Sequence, residues 1–584
     1  MKAGRAGLLL PALIILCCLA AYFNSVGNGF VYDDKHIIVE NPLIRKLSFA
    51  PYLFGTTYWG MDVNAPKARE GGLYRPLTML SYSVNYRLGG LEPVGYHLAN
   101  LVLHVFVSVM LFFLLRRLGL SDGASGLAAL AFSALPVHTE AVSSVVGRAE
   151  LLAAAFLLCS WRLAHLRAGA FRMGLSVVFF LLALLSKENA AVFPLVLALA
   201  EYASHPGSWK EVLKARAGVW ALFLVALLLY LEWRYHITGA VFATGGEPYF
   251  SSQTTPVVFL TMSKFFARKY LWPMATGLGL SAEYPPGAFP DAGPGDAGAW
   301  ACLLSIAAVA GAALWTLARA KSAKALSIMV FFAFLLPVLN VFFRIDVIGA
   351  ERFLYLPSIG FCMLLGCRWE DLAAARSRAA VLYAFLAAFC LVWWTFKTVE
   401  RNRDWRSDQS FWAAVEKSTG RSPRTLNSLG TVYDRTGNRV VARRYYTKAL
   451  ALDPDLANAM YNMGKSFFDE GDQKNAKSWF LKALDAGAGP DKDTLCFLGL
   501  IAQERRDYAT AVRRFRQALE VNPYYPTARR NLGLLLFSLG NVEEGAGHLR
   551  QYLRFAPDED ESADVRKLLD RFEGRAAPSG AGGG

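Results

Sequence analysis

"FVYDDKHIIVEN", residues Phe30–Asn41, sets two adjacent acids, Asp33 and Asp34, a short way beyond an apolar block that begins at Gly7. Two carboxylates placed there belong either to a solvated loop or to a site at a membrane surface, and the rest of the chain decides which. Of its 584 residues 54% are hydrophobic and 18% charged, with a mean hydropathy of +0.30. A soluble domain sits nearer a quarter charged. The apolar residues fall in long blocks between Gly7 and Lys397, after which the sequence turns charged and helix-forming. The reading is an all-α chain: a polytopic membrane domain over 1–400, a linker and capping helix over 401–422, repeats over 423–574 and a disordered tail over 575–584.

The formal charge of +15 does not point to nucleic acid, because no compact basic stripe with interleaved aromatics occurs. Much of the Lys and Arg lies in short loops between apolar blocks, as topology signals and anionic-lipid contacts do. Seven of the eight cysteines lie in or beside apolar blocks and Cys496 stands alone in the tail, so neither a metal site nor a disulfide framework is spaced out. The first block follows Lys2 and Arg5, and Ala20-Ala21 offers a signal-peptide cleavage site. The block is long for a signal sequence, and ten others follow.

A bilayer core takes roughly 20 apolar residues per helix. Candidate spans start at Gly7, His97, Ala124, Glu150, Arg172, Asn189, Gly218, Ala299, Ala325, Phe353 and Ala379, about eleven in all. The basic loops (Lys2 and Arg5; Arg116 and Arg117; Arg167 and Arg172; Lys210, Lys214 and Arg216; Lys321 and Lys324; Arg376 and Arg378) then share one face, which the positive-inside rule makes cytoplasmic. An odd number of spans places the tail on the other face.

That other face receives Asp33 and Asp34 and the charges of "GGLYRPLTMLSYSVNYRLGG", "LPVHTEAVSSVVGRAE", "SKEN" and "RIDVIGAERFLYLPSIG". These are Arg75, His138, Glu140, Arg148, Glu150, Lys187, Glu188, Glu351 and Arg352. Taken one by one they read as interfacial anchors and helix caps. Together, five segments deliver both signs of charge to one surface, and ionisable groups at membrane depth usually pair or line a cavity. A shared polar site is the better reading. His97 and His104, seven apart on one helical face without a third ligand, read as packed histidines rather than a metal site. "TPVVFLTMSKFFARKYLWP" brings Lys264, Arg268 and Lys269 to one side of a helix expected to lie along the outer surface.

From Pro423 a period near 34 aligns Gly430, Gly464, Gly499 and Gly533. Leu426, Leu429, Gly430, Tyr433, Ala442, Tyr446, Ala449 and Pro454 occupy tetratricopeptide-repeat positions, in which small residues let paired helices approach and aromatics fill the gap between units. "WRSDQSFWAAVEKSTGRSP" is expected to cap the front of the array and Arg566–Phe572 the back.

"YRPLTMLSYSVNYRLGG…GYHLANLVLHV", "LPVHTEAVSSVVGRAELLAAAF", "LLSKEN" and "AERFLYLPSIGF" resemble the transmembrane and tetratricopeptide repeat-containing glycosyltransferases. The bacterial relatives fit better, since the array is short. The resemblance runs from Phe30 to about Asp560. It implies a GT-C fold that moves a sugar, mannose in the animal relatives, from a polyprenyl-phosphate carrier to an acceptor hydroxyl outside the cytoplasm, with inversion. It also implies that Asp33 and Asp34 are the catalytic pair of the first outer loop.

Arg352, Arg148, Lys187 and Arg75 are the candidates for the donor phosphate; His138, Glu140, Glu150, Glu188 and Glu351 are candidates for orienting or acceptor contacts. The cofactor is left open between a divalent cation (Mg²⁺ or Mn²⁺) and none. The expected partners are the lipid-linked sugar, the bilayer and an acceptor or assembly protein on the repeats. The expected place is a bacterial inner membrane, with a cytoplasmic N-terminus and a periplasmic tail. The competing reading is a catalytically silent membrane anchor that presents the repeats as a scaffold. A transporter would need charges near span centres.

Overall fold

The computed structural model describes residues 6–59, 72–164, 169–241, 249–342, 344–376, 378–487, 491–556 and 561–576. Lys2, Arg5, Arg167 and residues 577–584 of the expected tail lie outside them. The described residues form helices and turns without a strand, and divide into two units: Met1–Val39 with Glu70–Ser422, and Glu40–Arg69 with Pro423–Gly584.

In the first unit eleven helices stand where the eleven apolar blocks do. They are Ala6–Tyr22, Pro93–Arg117, Asp122–Ala134, Arg148–Ala164, Ala170–Ser186, Phe193–Ser204, Trp209–Thr238, Ala297–Ala320, Ala323–Leu335, Ser358–Ala374 and Arg378–Arg401. Among the described residues, length and apolarity qualify four stretches as membrane spans: Pro93–Arg117, Trp209–Thr238, Ala297–Ala320 and Arg378–Trp405. A fifth qualifies if the pair Pro136–Ser143 and Val145–Ala164, bent by 100°, counts as one. Several of the eleven helices are thus shorter than a full span. A helix of 17 residues rises about 25 Å, short of the ~30 Å hydrocarbon core.

The physical reason is visible at one end of the unit. There the helices give way to 3₁₀ turns at Pro136–His138, Val145–Gly147, Glu188–Val192, Leu336–Val338 and Glu351–Leu354. Two of these begin at or next to a proline, whose missing N–H and ring end a regular helix. Irregular backbone at membrane depth is tolerated where protein buries it or where it lines a cavity.

Short or long, the helices run between the same two ends. At one end Arg216 donates to the Ala164 carbonyl at 2.7 Å and pairs with Glu201, Lys321 donates to the His205 and Gly207 carbonyls, and Lys324 pairs with Asp371 at 2.7 Å. These are the basic loops of the sequence. At the other end Tyr22 donates to the Leu135 carbonyl (3.0 Å), Thr78 to Ser186 (3.0 Å), Asn402 to Ala21 (2.8 Å) and Ser143 to the Asn402 side chain (2.8 Å). The first helix is packed inside the unit, with Ile14 and Cys18 against Phe112 and Ala129.

Small residues bring the helices together. A methyl group on Gly366 would sit 2.5 Å from the Ala124 carbonyl oxygen, and one on Gly360 would sit 2.4 Å from that of Ser327, the close approach by which helices associate in lipid. The segment expected along the surface forms Thr255–Phe265, a π-turn Phe266–Leu271 and Trp272–Thr276. Its cations do not share one outer face: Lys264 pairs with Asp296 at 2.6 Å, while Lys269 lies over the Tyr284 ring.

The first unit ends with Asp408–Thr419, whose Phe411 packs on Trp405 and Tyr32. Read from the sequence as the front cap of the array, this helix falls with the membrane unit instead. In the second unit the repeats are Pro423–Arg435 with Arg439–Leu452, Ala457–Phe468 with Gln473–Ala486, Lys492–Glu504 with Tyr508–Val521, and Pro526–Ser538 with Val542–Phe555; Ser562–Ala576 closes the back. Asn438, Asp472 and Asp507 cap the second helices by accepting from Val441, Asn475 and Thr510 amides. Residues 40–59 of the first outer loop belong to this unit too. They fold into short turns at Pro42–Ile44, Leu47–Phe49 and Ala50–Phe54.

Candidate active site at the acidic turn

Tyr32 takes a left-handed conformation (φ 55°). It stays there because its neighbours hold it: its amide donates to Asp408 (3.0 Å), its hydroxyl to Glu283 (3.0 Å), and its ring stacks on Phe411. Lys35 pairs with the same Asp408. Between them the two acids are sorted. Asp34 is buried, and its carboxylate accepts the Val31 amide (3.1 Å) on one oxygen and the Val146 amide (2.9 Å) on the other. It closes the turn and ties it to the bend ahead of helix Arg148–Ala164. Burial pushes the Asp34 carboxyl up to about 7, against the lowering pull of those amides. Asp33 is half-buried, and its charge acts on the guanidinium of Arg352.

The remaining candidates form a run of opposite charges. Glu140, buried on helix Thr139–Ser143, accepts the Arg352 backbone amide (2.9 Å) on one oxygen and its guanidinium on the other. Glu150 and Lys187 make a fully buried pair. Arg75 grips Glu188 through two nitrogens, at 3.0 and 2.6 Å, in the two-pronged geometry to which guanidinium is suited. Glu351, wholly buried, takes Arg401 at 2.7 Å, the Ser281 amide at 2.5 Å and the Tyr284 hydroxyl at 3.4 Å.

The pairs feel one another. Lys187 is influenced by Arg75, Glu188 and Arg352 besides Glu150, and Arg352 by Glu150 and Asp33 besides Glu140. Burial lowers the Lys187 ammonium against the pull of Glu150. Burial would raise Glu188, but the Arg75 fork wins and holds it well below the usual carboxylate range. Arg352 is the cation that reaches outward, with 31% of its side chain exposed against 2% for Lys187.

Two candidates do not join this network. Arg148 is buried and saturated by neutral acceptors: Asn100 (2.8 Å), the Tyr96 carbonyl (2.9 Å), the Ser81 carbonyl (3.3 Å) and Asn85, between the rings of Tyr82 and Tyr96. It fastens helix Pro76–Gly89 to helix Pro93–Arg117 and is not placed as a phosphate ligand. His138 bonds Ser358 at 2.8 Å inside an aromatic cluster with His104, Phe132 and Tyr355, so it packs the core. His104 sits there too, bonded to the Tyr355 hydroxyl at 2.9 Å.

Sequence reading missed Glu283, and also Arg401 and Asp408, which lie in the segment taken for linker and capping helix. It also missed Arg234, a buried cation in the last turns of helix Trp209–Thr238, whose charge acts on Glu188 and whose Nε and Nη1 find no hydrogen-bond partner among the described residues. An ionisable residue inside an apolar helix was the signal available for it. Among the described residues no group of three or more His, Cys, Asp or Glu side chains is gathered to hold a metal ion.

Comparison with known proteins follows the same outline. Human protein O-mannosyl-transferase TMTC3 is 26% identical over 578 residues, 90% of this chain and 62% of its own length. Human TMTC4 is 28% identical over 76% of this chain and 65% of its own, and Drosophila melanogaster Tmtc1 is 28% identical over 79% and 63%. The chain resembles the TMTC proteins along most of its length. It spans less than two thirds of each of these relatives. The Tetratricopeptide repeat profile matches residues 427–491 and 498–560. Among solved structures, the tetratricopeptide-repeat protein YrrB is 20% identical, with 28% of this chain and 85% of that one covered and a TM-score of 0.25.

The division between the acids of this TMTC-like chain has two measurable consequences. Asn at position 34 keeps one acceptor for two buried amides and turns an NH₂ toward the other, so Asp34→Asn should cost about 1–3 kcal/mol of stability. Asp33→Asn should cost less than half of that by thermal unfolding in detergent, and equal losses would contradict the assignment.

The second concerns pH. Burial, opposed by Arg401, pushes Glu351 up to about 7 from its ordinary 4.5. The folded protein therefore holds a proton that the unfolded chain releases between those values, and the stability this group supplies is complete below about pH 4.5 and lost as pH rises through 7. The drop in melting temperature from pH 5 to pH 8 should shrink in Glu351→Gln; an unchanged or larger drop would count against it.

Proposed function

We propose that the chain is an integral-membrane glycosyltransferase of GT-C type. It moves a sugar from a polyprenyl-phosphate carrier to a hydroxyl of an acceptor protein on the extracytoplasmic face. The observation that carries this reading is the charge of Asp33, a half-buried carboxylate, acting on Arg352, the most outward cation of a buried charge network. A scaffold has no need to bury four acid–base pairs at the end where its helices are cut short.

The chemistry follows from what transfer requires. The acceptor oxygen attacks the anomeric carbon while the bond from that carbon to the phosphate oxygen breaks, its electron pair leaving with the phosphate. Asp33 takes the hydroxyl proton, a contribution typically worth about 10²–10⁴ in rate. Arg352 faces the charge that gathers on the leaving phosphate, where a fixed donor in a dry site acts most strongly. Glu140 holds that guanidinium in place from below. A single displacement from the opposite side inverts the anomeric centre. The step uses Arg352 as its cation.

Two further features support a lipid donor. A cavity of about 510 Å³ lined by Phe266, Leu271, Ile306, Phe331, Phe332 and Leu364 is almost wholly apolar, as a prenyl chain requires. One of its walls continues into Phe265 and Tyr270, against which Gly349 and Ala350 pack just ahead of Arg352. The TMTC relatives, protein O-mannosyl-transferases, make mannose the first sugar to try. By the positive-inside rule the basic end faces the cytoplasm and the acidic turn the periplasm of a bacterial inner membrane.

The test is transfer of label to protein by purified enzyme in detergent, given a panel of radiolabelled polyprenyl-phosphate sugars that starts with mannose. Asp33→Asn should lose at least about 10²-fold in transfer while remaining folded. Arg352→Lys, which loses the planar fork, should fall as well. Undiminished transfer by Asp33→Asn would remove the acid from the mechanism, and no transfer with any donor would favour the scaffold.

A further inference from the structure

The tetratricopeptide unit already carries a bound segment: its own residues 40–54, more than 350 positions upstream of the repeats. This segment follows one rim of the array, where first helices start and second helices end. At its beginning the charge of Glu40 acts on Tyr461, in the first turns of Ala457–Phe468, and on Lys492, the first residue of Lys492–Glu504. At its end Phe49 packs on Phe555, the last residue of Val542–Phe555, at 5.6 Å between ring centroids. Tyr52 meets Tyr524, just ahead of Pro526–Ser538, at 6.1 Å, and Phe555 at 6.3 Å. Arg554 caps the contact: its guanidinium lies 5.2 Å from the Tyr52 ring centre and donates to the Tyr52 hydroxyl.

The segment thus passes over three successive units in the direction of the array. Phe49 and Tyr52 are three apart across the turns Leu47–Phe49 and Ala50–Phe54, the spacing that puts two side chains on one side of a helix. They enter a cluster made of Tyr524, Arg554 and Phe555.

We infer that this rim is a recognition site for a protein segment carrying a carboxylate and, some ten residues on, two aromatic residues three apart in a helical turn. Residues 40–54 occupy it in cis, and a partner segment of the same chemistry displaces them. The chemistry is complementary: Lys492, which also pairs with Asp493 at 2.7 Å, turns a cation toward the acid, and Arg554 offers its guanidinium to an aromatic face. So few contacts bind weakly between separate molecules. The cis segment persists because its tether gives it an effective concentration of the order of millimolar. Only a partner that adds contacts of its own competes with that, so the occupied rim rejects casual peptides.

The experiment uses the full chain in detergent and a fluorescent peptide of residues 40–58, read by anisotropy. Wild type should bind the peptide weakly. Phe49→Ala with Tyr52→Ala, which loosens the cis segment, should bind it at least tenfold tighter. Adding Arg554→Ala and Phe555→Ala to that variant should abolish the gain. Equal affinity for wild type and the double variant would overturn the assignment, as would a gain that survives loss of Arg554 and Phe555. Should the double variant not fold, hydrogen exchange decides: in Arg554→Ala alone the amides of residues 49–54 should exchange several-fold faster, and unchanged exchange overturns it.

Discussion

The arrangement depends on the two backbone amides that share the Asp34 carboxylate. Val31 and Val146 are 115 positions apart, and a single buried acid joins the loop after the first helix to the bend before helix Arg148–Ala164. Without it two N–H groups would be left unsatisfied at membrane depth, where no water replaces the lost acceptor. Around that joint every further charge brought to this end of the helices has to be matched. Glu140 meets Arg352, Glu150 meets Lys187, Glu188 meets Arg75 and Glu351 meets Arg401. Breaking one member of such a pair leaves an uncompensated buried charge, which is why these pairs are expensive to disturb even where they add little net stability.

Chemistry and architecture are linked through the short helices. Seven of the eleven stop after 12 to 17 residues, and beside their ends lies 3₁₀ backbone bearing His138, Glu188, Glu351 or Arg352, with Glu140 on the short helix Thr139–Ser143. The charged residues are therefore held by rigid turns between packed helices, in a setting of low dielectric that strengthens each interaction. Arg148 serves the same rigidity by a different route: a cation held by carbonyls, amides and aromatic faces fixes two helices.

Much of this could be read from the sequence. Helix positions, the alternation of basic loops with polar ends, the period of the repeats and the gathering of charges on one face follow from patterns local to each segment. The roles within the site were less accessible. Which of Asp33 and Asp34 is structural depends on an amide more than a hundred residues away. Arg148 looks like a ligand because sequence displays its charge but not the neutral acceptors of Asn100, Tyr96 and Ser81. Where each short helix ends was hidden, because hydropathy registers composition and not the 3₁₀ turns that follow or precede the helices. Residues 40–59 and 401–422 were assigned by proximity in the chain, whereas aromatic contacts with Phe555 in one case and Tyr32 in the other decide which unit they join.

The central claim is that Asp33 and Arg352 face the two ends of the bond that breaks. Its most direct test is a structure of the protein with a polyprenyl-phosphate sugar bound. The account predicts a phosphate oxygen within hydrogen-bond distance of the Arg352 guanidinium, and the Asp33 carboxylate on the opposite side of the anomeric carbon with room between for an acceptor hydroxyl. A phosphate held elsewhere, with Arg352 engaged only by Glu140 and Asp33 turned from the sugar, would contradict it.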